Sequence, residues 1–186
     1  MIAGRRRSHP RVLVSVCIDC GQTPSAALLV VSTGALHGAR FELDRRSFGS
    51  AEAQSTIIAS IAERIPRDAT VLLRTPRMQD HALRHSLILG RSLPPHPPSL
   101  ITRYRPDLRT ISLPCERREL TDAAAAYDIV AESGPLWTSS EAKAACDAQA
   151  LWLIFLWTHC RPKQRDWLAA AWEAWRVLER ARKAPS

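Results

Sequence analysis

Hydrophobic residues form short, nearly unbroken runs along the chain, and such runs predict buried strands. The first run spans Arg11 to Cys20 and has the character of a central strand. "AALLVVS" and "LHGARFELD" follow it after the turn segments "QTPS" and "TGA". "ATVLLRTP" predicts a fourth strand, and a fifth is expected around Thr110 to Leu113. The pattern therefore predicts a sheet of five strands.

Apolar residues at helical spacing predict helices between and after these strands. "GSAEAQSTIIASIAERIP" carries a stripe of isoleucines, with Ser50 as the expected N-cap, Glu52 in the first turn and Pro66 as the stop. "MQDHALRHSLILG" and "RRELTDAAAAYDIVAES" are also helix-prone. "SSEAKAACDAQALWLIFLW" starts with capping residues and then becomes apolar all round, which predicts a buried helix. The last predicted helix is amphipathic and carries Trp167, Trp172 and Trp175.

These elements indicate one α/β domain. We expect a basic tail over residues 1–10 and the sheet-containing domain over 11–160. Within it, residues 91–140 contain the proline-rich "LPPHPPS" and are expected to form an irregular insertion region. Residues 161–186 should form a C-terminal helix that packs on the domain or on a partner protein.

Charge and cysteine content narrow the class of protein. The chain has 186 residues, 26 Lys and Arg against 18 Asp and Glu, and a net charge of +8, which favours a polyanionic partner. Its five cysteines follow no disulfide framework, so a cytoplasmic setting is expected. The longest apolar stretch, "AQALWLIFLW", is shorter than the ~20 residues that a membrane span needs, so no membrane partner is expected.

One charged residue stands out at the end of the first strand. Asp19 shares a strand face with Leu13, Ser15 and Cys17 by simple alternation. A buried carboxylate is unfavourable unless something pairs with it. Asp19 is therefore either a turn residue before Gly21 or a metal ligand or catalytic acid.

The order of elements, with an acid ending the first strand, resembles the ribonuclease H-like fold, and type 1 ribonuclease H in particular. Asp19 in "CIDCG" matches the first acid of that family, and Glu52 in "GSAEAQSTIIASI" matches a glutamate in the first turn of the following helix. Asp147 in "ACDAQALWL" matches an acid on a late helix. The Holliday-junction resolvase branch is similar at "CIDCGQ" and at the "DAxAL" segment.

The resemblance implies a mixed five-stranded sheet flanked by helices and a nuclease that uses Mg²⁺ or Mn²⁺. In such an enzyme Asp19 would bridge two metals, Glu52 would hold one, and Asp147 would hold or position the second. The family's third acid is missing, because Pro76, or Arg74 under the resolvase alignment, occupies its place. Asp80 is a candidate replacement ligand or a solvated residue at a helix start.

Two hypotheses follow for function. The first is a ribonuclease H-fold protein that binds nucleic acid and cleaves phosphodiesters with an incomplete acidic site. The second is a non-catalytic module that serves as a subunit or scaffold of a nucleic-acid-processing complex, with the Trp-rich C-terminal helix docking another protein. Phosphate contacts are predicted for six arginines: Arg5, Arg6, Arg7, Arg103, Arg105 and Arg109.

Other motifs carry weaker signals. A third class would be an α/β enzyme that uses Cys17 or Cys20 as its nucleophile. These two cysteines form a CxxC, but on a strand they would point to opposite faces, so a zinc site is not expected. His81 and His85 have a spacing compatible with a metal, yet a solvated basic face explains them as well.

Overall fold

The structure is a computed structural model, and it describes residues 12–19, 23–34, 38–75, 101–129 and 139–183. The strands are β1 (Val12–Asp19), β2 (Ser25–Gly34), β3 (Gly38–Ser47), β4 (Thr70–Thr75) and β5 (Arg109–Pro114). The helices are α1 (Gln54–Arg64), α2 (Ile101–Tyr104), α3 (Arg117–Ala126), α4 (Ser140–His159) and α5 (Pro162–Lys183).

The five strands form one mixed sheet with the order β3-β2-β1-β4-β5. Strand β2 runs antiparallel to both of its neighbours, β1 and β3, while β4 is parallel to β1 and β5 is parallel to β4. Strand β1 is therefore central, as its apolar run predicts. The predicted fold class, a mixed five-stranded sheet flanked by helices, is confirmed.

Each face of the sheet has its own core, and alternation along β1 assigns its side chains to the two faces. Val14 and Val16 pack with the isoleucines of α1, whereas Leu13 and Cys17 pack with α3, α4 and α5. Asp19 follows Leu13 and Cys17 in this alternation. It therefore belongs to the face that α4 covers.

Helix α4 is buried on almost every side, as its uniformly apolar sequence predicts. Ser139 caps its start, with Oγ accepting a hydrogen bond from Ala142 N at 3.1 Å. Lower on the helix, Ser15 Oγ donates to the main-chain oxygen of Ala148 at 2.7 Å. Ser15 and Ala148 are both buried, so this bond fixes the position of α4 along β1.

Helix α5 follows α4 after a short turn and packs on the same side of the sheet. Trp172 is fully buried, and Trp175 lies against Phe41 of β3 with the ring centroids 5.7 Å apart. Trp167 is 47% exposed, so the three tryptophans of this helix have different environments. None of the described helices is long and apolar enough to cross a membrane.

Two sequence predictions need correction. Helix α1 begins at Gln54 with Ala53 as its N-cap, so Ser50 is not the cap and Glu52 precedes the first turn. The backbone turns first, with Glu52 N donating to Gly49 O at 3.0 Å. The irregular region expected over 91–140 is regular over 101–126, where α2, β5 and α3 lie. The fifth strand expected around Thr110 to Leu113 is β5, and the helix-prone segment that follows it contains α3.

Candidate functional site

Asp19 meets a lysine at the carboxyl end of β1. Lys143 Nζ, from the first turns of α4, lies 3.3 Å from Asp19 Oδ1 and 3.2 Å from Oδ2. The Asp19 side chain is 21% exposed and that of Lys143 is 41% exposed, so the pair is half-buried. The acid at the strand end is thus neutralised by a side chain of the same protein.

Asp147, one turn further along α4, has its own cation. Arg117, at the start of α3, donates from a terminal nitrogen to Asp147 Oδ2. Burial raises the pKa of Asp147 because it disfavours the charged form, while the nearby Arg117 guanidinium opposes that shift. The Asp147 side chain is 15% exposed, in agreement with burial as the larger effect.

A third cation comes from β4. Arg74 Nε donates to the main-chain oxygen of Cys115 at 3.1 Å, which directs the guanidinium across the end of β5. Leu72, two residues earlier, packs on the α4 side of the sheet, and alternation puts Arg74 on that side too. Arg74 thus faces the same space as the two aspartates.

These five charged side chains line one cavity of about 240 Å³, together with Val16, Cys17, Ile18 and Leu120. The cavity carries one more cation than carboxylate, and both of its carboxylates are engaged in ion pairs. Such a lining is suited to binding an anion of the size of a phosphate group.

The cavity does not fit the divalent metal that the family resemblance implies. Mg²⁺ and Mn²⁺ are held by several carboxylate and carbonyl oxygens that converge on one point. In the part of the chain that the structure describes, no group of three or more His, Cys, Asp or Glu side chains is arranged to hold a metal ion. Lys143 and Arg117 occupy the carboxylate oxygens that a metal would need.

The thiols beside this cavity are poor nucleophiles. Burial raises the pKa of Cys17 well above its usual value, and the nearby Asp147 carboxylate raises it further. Burial likewise raises the pKa of Cys146 to about 11. Because the thiolate is the reactive form, Cys17 does not support the thiol-enzyme alternative. Cys20, the other cysteine of that alternative, lies outside the described residues.

Comparisons with known proteins bear on the fold. No protein family matches the sequence, and no curated protein matches it either. The chain is similar in structure to T. thermophilus RuvC in complex with a Holliday junction substrate. The two are 15% identical, the match covers 80% of this chain and 96% of that one, and the TM-score is 0.37. At this level of similarity, statements about function depend on the side chains of the chain itself.

The predicted acids are brought together only in part. Asp19 and Asp147 line the cavity, but Glu52, the remaining described member of the predicted acid set, does not. Its Oε1 accepts a hydrogen bond from Gly49 N at 2.9 Å, and the residue is exposed. Glu52 therefore stabilises the turn before α1. Asp80 and Pro76 lie outside the described residues, as do His81 and His85.

Of the predicted phosphate-binding arginines, the three that the structure describes do not line this cavity. Arg109 pairs with Thr70 at the start of β4, about 20 Å along the sheet from the level of Asp19 at ~3.3 Å per residue. Arg105 holds structure together, because it donates to Ala62 O at 3.2 Å and to Ile65 O at 3.3 Å and pairs with Asp107. Arg103 is exposed on α2. Arg5, Arg6 and Arg7 lie outside the described residues.

Sequence reasoning missed Lys143 and Arg117 as members of the site. Lys143 is four residues before Asp147, so the two share a face of α4, and this spacing was a usable signal. Arg117 comes from a separate helix, and its approach to Asp147 depends on how α3 packs on α4. Nothing in the local sequence around Arg117 predicts that contact.

Proposed function

We propose that this chain is a nucleic-acid-binding protein of the ribonuclease H-like fold whose charged cavity binds phosphate and does not hydrolyse it. The observation that carries the proposal is the charge state of the cavity. Each of its two carboxylates is paired with a cation of the chain, and Arg74 adds a third cation. The protein would then act as a binding module within a nucleic-acid-processing complex.

The position of Arg74 supports the loss of catalysis. Under the resolvase alignment, Arg74 replaces an acid at the end of the fourth strand, and its guanidinium lines the cavity with Asp19 and Asp147. A guanidinium stays protonated in proteins, so it repels a divalent cation at any working pH. The same group is well suited to bind a phosphate through two parallel hydrogen bonds.

Overall charge supports a nucleic-acid partner. The net charge of +8 favours association with a polyanion. In the cavity, Lys143 and Arg117 have half-exposed side chains, so they can shift from their aspartates towards an incoming phosphate. Release of counterions from the nucleic acid would make this binding strongly dependent on salt.

A metal-dependent nuclease is the second candidate. It is favoured by one observation, the convergence of Asp19 and Asp147 on the same cavity. Activity would require both ion pairs to open and a metal to bind beside Arg74. Mn²⁺ would be preferred over Mg²⁺ in such a site, because Mg²⁺ demands near-ideal octahedral geometry.

Binding and cleavage can be measured on the same substrates to separate the two candidates. Fluorescently labelled branched DNA, duplex DNA and an RNA–DNA hybrid are incubated with the full chain and either Mg²⁺, Mn²⁺ or EDTA. We expect binding that persists in EDTA and no cleavage with either metal. Cleavage that is lost in Asp19→Asn would establish the nuclease and overturn the proposal.

Two matched arginine variants test whether the cavity is the binding site. Arg74→Gln should weaken binding and reduce the slope of log affinity against log salt by about 1, as expected for one lost phosphate contact. Arg103→Gln removes an equivalent charge from α2, which is not part of the cavity, and should leave the slope nearly unchanged. If Arg103→Gln reduced the slope and Arg74→Gln did not, the nucleic acid would bind at the other end of the sheet and not at the cavity.

A further inference from the structure

A groove lies between α3 and α4, and the proposed function does not use it. It has a volume of about 560 Å³ and an apolar floor that includes Leu153, Ile154 and Trp157. Among the residues that the structure describes, the charged ones that line it are Glu119 and Asp122, both acidic. We call this surface the α3–α4 groove.

Trp157 is held in place and yet remains open to a partner. Its indole N–H donates to the hydroxyl of Tyr127 at 3.0 Å, and the Arg165 guanidinium lies 4.1 Å from its ring centroid. Even so, the residue is 56% exposed, whereas Trp152 and Trp172 are fully buried. A rigid, half-covered tryptophan is the typical anchor of a protein interface, because little side-chain freedom is lost on binding.

The end of α5 is the second unexplained surface. From Val177 to Arg182 every residue is exposed except Glu179, which is partly exposed. Val177 and Leu178 are 60% and 61% exposed, and Arg180 and Arg182 follow them. We call these six residues the α5 arm. Packing on the body of the protein, which holds Trp172 and Arg176, has ended by this point.

The α5 arm and the α3–α4 groove are complementary in shape and in charge. The arm is a helical segment with adjacent apolar residues and two arginines, of which Arg182 donates to Glu179 at 3.0 Å. The groove is an apolar trough with two carboxylates, of which Asp122 lies 3.8 Å from Arg118. Exposed ion pairs contribute little to stability, so these charges can exchange partners on docking. Amphipathic helices bind proteins by laying their apolar side into such grooves. Opposite charges at the rim would orient the helix and speed its association.

We propose that the α5 arm of one molecule docks into the α3–α4 groove of a second copy of this chain. Leu178 and Val177 would cover the exposed side of Trp157, and Arg182 would approach Asp122. Every copy carries both surfaces, so two copies can exchange arms reciprocally and close a dimer. The contact uses neither Asp19 nor Asp147, so it is independent of nucleic-acid binding at the cavity.

Sedimentation velocity of the full chain without nucleic acid, over a range of concentrations, tests self-association. We expect the sedimentation coefficient to rise with concentration. Trp157→Ala in the groove and Leu178→Glu in the arm should each raise the apparent dissociation constant at least about tenfold, as loss of a central anchor does. Tyr104→Ala, which removes an aromatic that is 44% exposed on α2, is the matched control and should associate normally.

Mixing the two variants gives the sharpest test. Trp157→Ala retains an intact arm and Leu178→Glu retains an intact groove, so an equimolar mixture should regain association that neither shows alone. Asp122→Arg should also weaken association, and adding Arg182→Glu should restore it. Circular dichroism confirms that each variant is folded. A wild type that stays monomeric, or a mixture that fails to associate, overturns the proposal.

Discussion

The hydroxyl of Ser15 donates to the carbonyl oxygen of Ala148 across 133 positions of sequence, at a distance of 2.7 Å. This buried bond joins the central strand to the helix that supplies Lys143 and Asp147. Ala148 follows Asp147 directly in α4, so this bond helps to fix the position of Asp147 against β1.

Ser15→Ala should destabilise the protein by about 1 kcal/mol, the usual net contribution of a buried neutral hydrogen bond. Urea denaturation followed by circular dichroism measures the change. Ser32→Ala on β2, where the side chain is only partly buried, is the matched control and should lower the free energy of unfolding by a smaller amount. Equal losses in the two variants would mean that the Ser15 bond adds nothing specific.

Removing the cations should create a metal site where the wild type has none. In the double variant Lys143→Met with Arg74→Glu, the Asp19 carboxylate loses its partner and a third carboxylate enters the cavity. We expect Mn²⁺ to raise the thermal midpoint of this variant and to leave that of the wild type unchanged, since binding to the folded state stabilises it.

Isothermal titration with Mn²⁺ checks the same variant directly. Adding Asp19→Asn to the double variant is the control, and it should abolish the metal effect. Stabilisation of the wild type by Mn²⁺ that disappears in Asp19→Asn would contradict the assignment of the cavity as a neutralised site.

Asp147 should make stability depend on pH in a defined direction. Its pKa in the folded protein is raised above the ordinary 3.8, mainly by burial, so the folded state holds this proton more tightly than the unfolded state. The residue's contribution to stability therefore falls as pH rises above that ordinary value. Asp147→Asn is neutral at every pH. Its free energy of unfolding should therefore increase relative to that of the wild type as the pH rises from about 4 to 7.

Urea denaturation of both proteins at the two pH values measures this difference. Arg117, whose side chain is 42% exposed, can be hydrated when its partner is lost. Asp68→Asn, at an exposed turn position, is the control for general pH effects. If the wild type instead became more stable relative to Asp147→Asn as the pH rises, the ion pair with Arg117 would have a larger effect on the Asp147 pKa than burial has.

Arg105 should matter for stability and little for nucleic acid. Its guanidinium donates to the main-chain oxygens of Ala62 and Ile65 at the carboxyl end of α1, where few main-chain N–H groups remain for the helix carbonyls. Arg105→Ala should lower the thermal midpoint, and Arg105→Lys should recover only part of it because an ammonium lacks the planar fork. Arg103→Ala should leave the midpoint unchanged, and an equal loss there would contradict this role.

The sequence was sufficient to predict the sheet because alternation and apolar runs are local properties. The face of β1 that carries Asp19 followed from its neighbours Leu13 and Cys17, and the burial of α4 followed from its composition. The pairing of Asp147 with Arg117 could not be predicted, since it depends on the packing of two helices separated by 13 residues of intervening chain. Glu52 was misplaced because its carboxylate closes a turn before α1 begins.

Burial of one face of the central strand by the last quarter of the sequence also determines when this protein can fold. Strand β1 ends at Asp19, but the helix that covers one of its faces begins only at Ser140. During synthesis the apolar side of β1 remains uncovered until the segment that forms that helix has been translated and has left the ribosome. Contacts this distant in sequence slow folding and leave apolar strands open to aggregation in the interval.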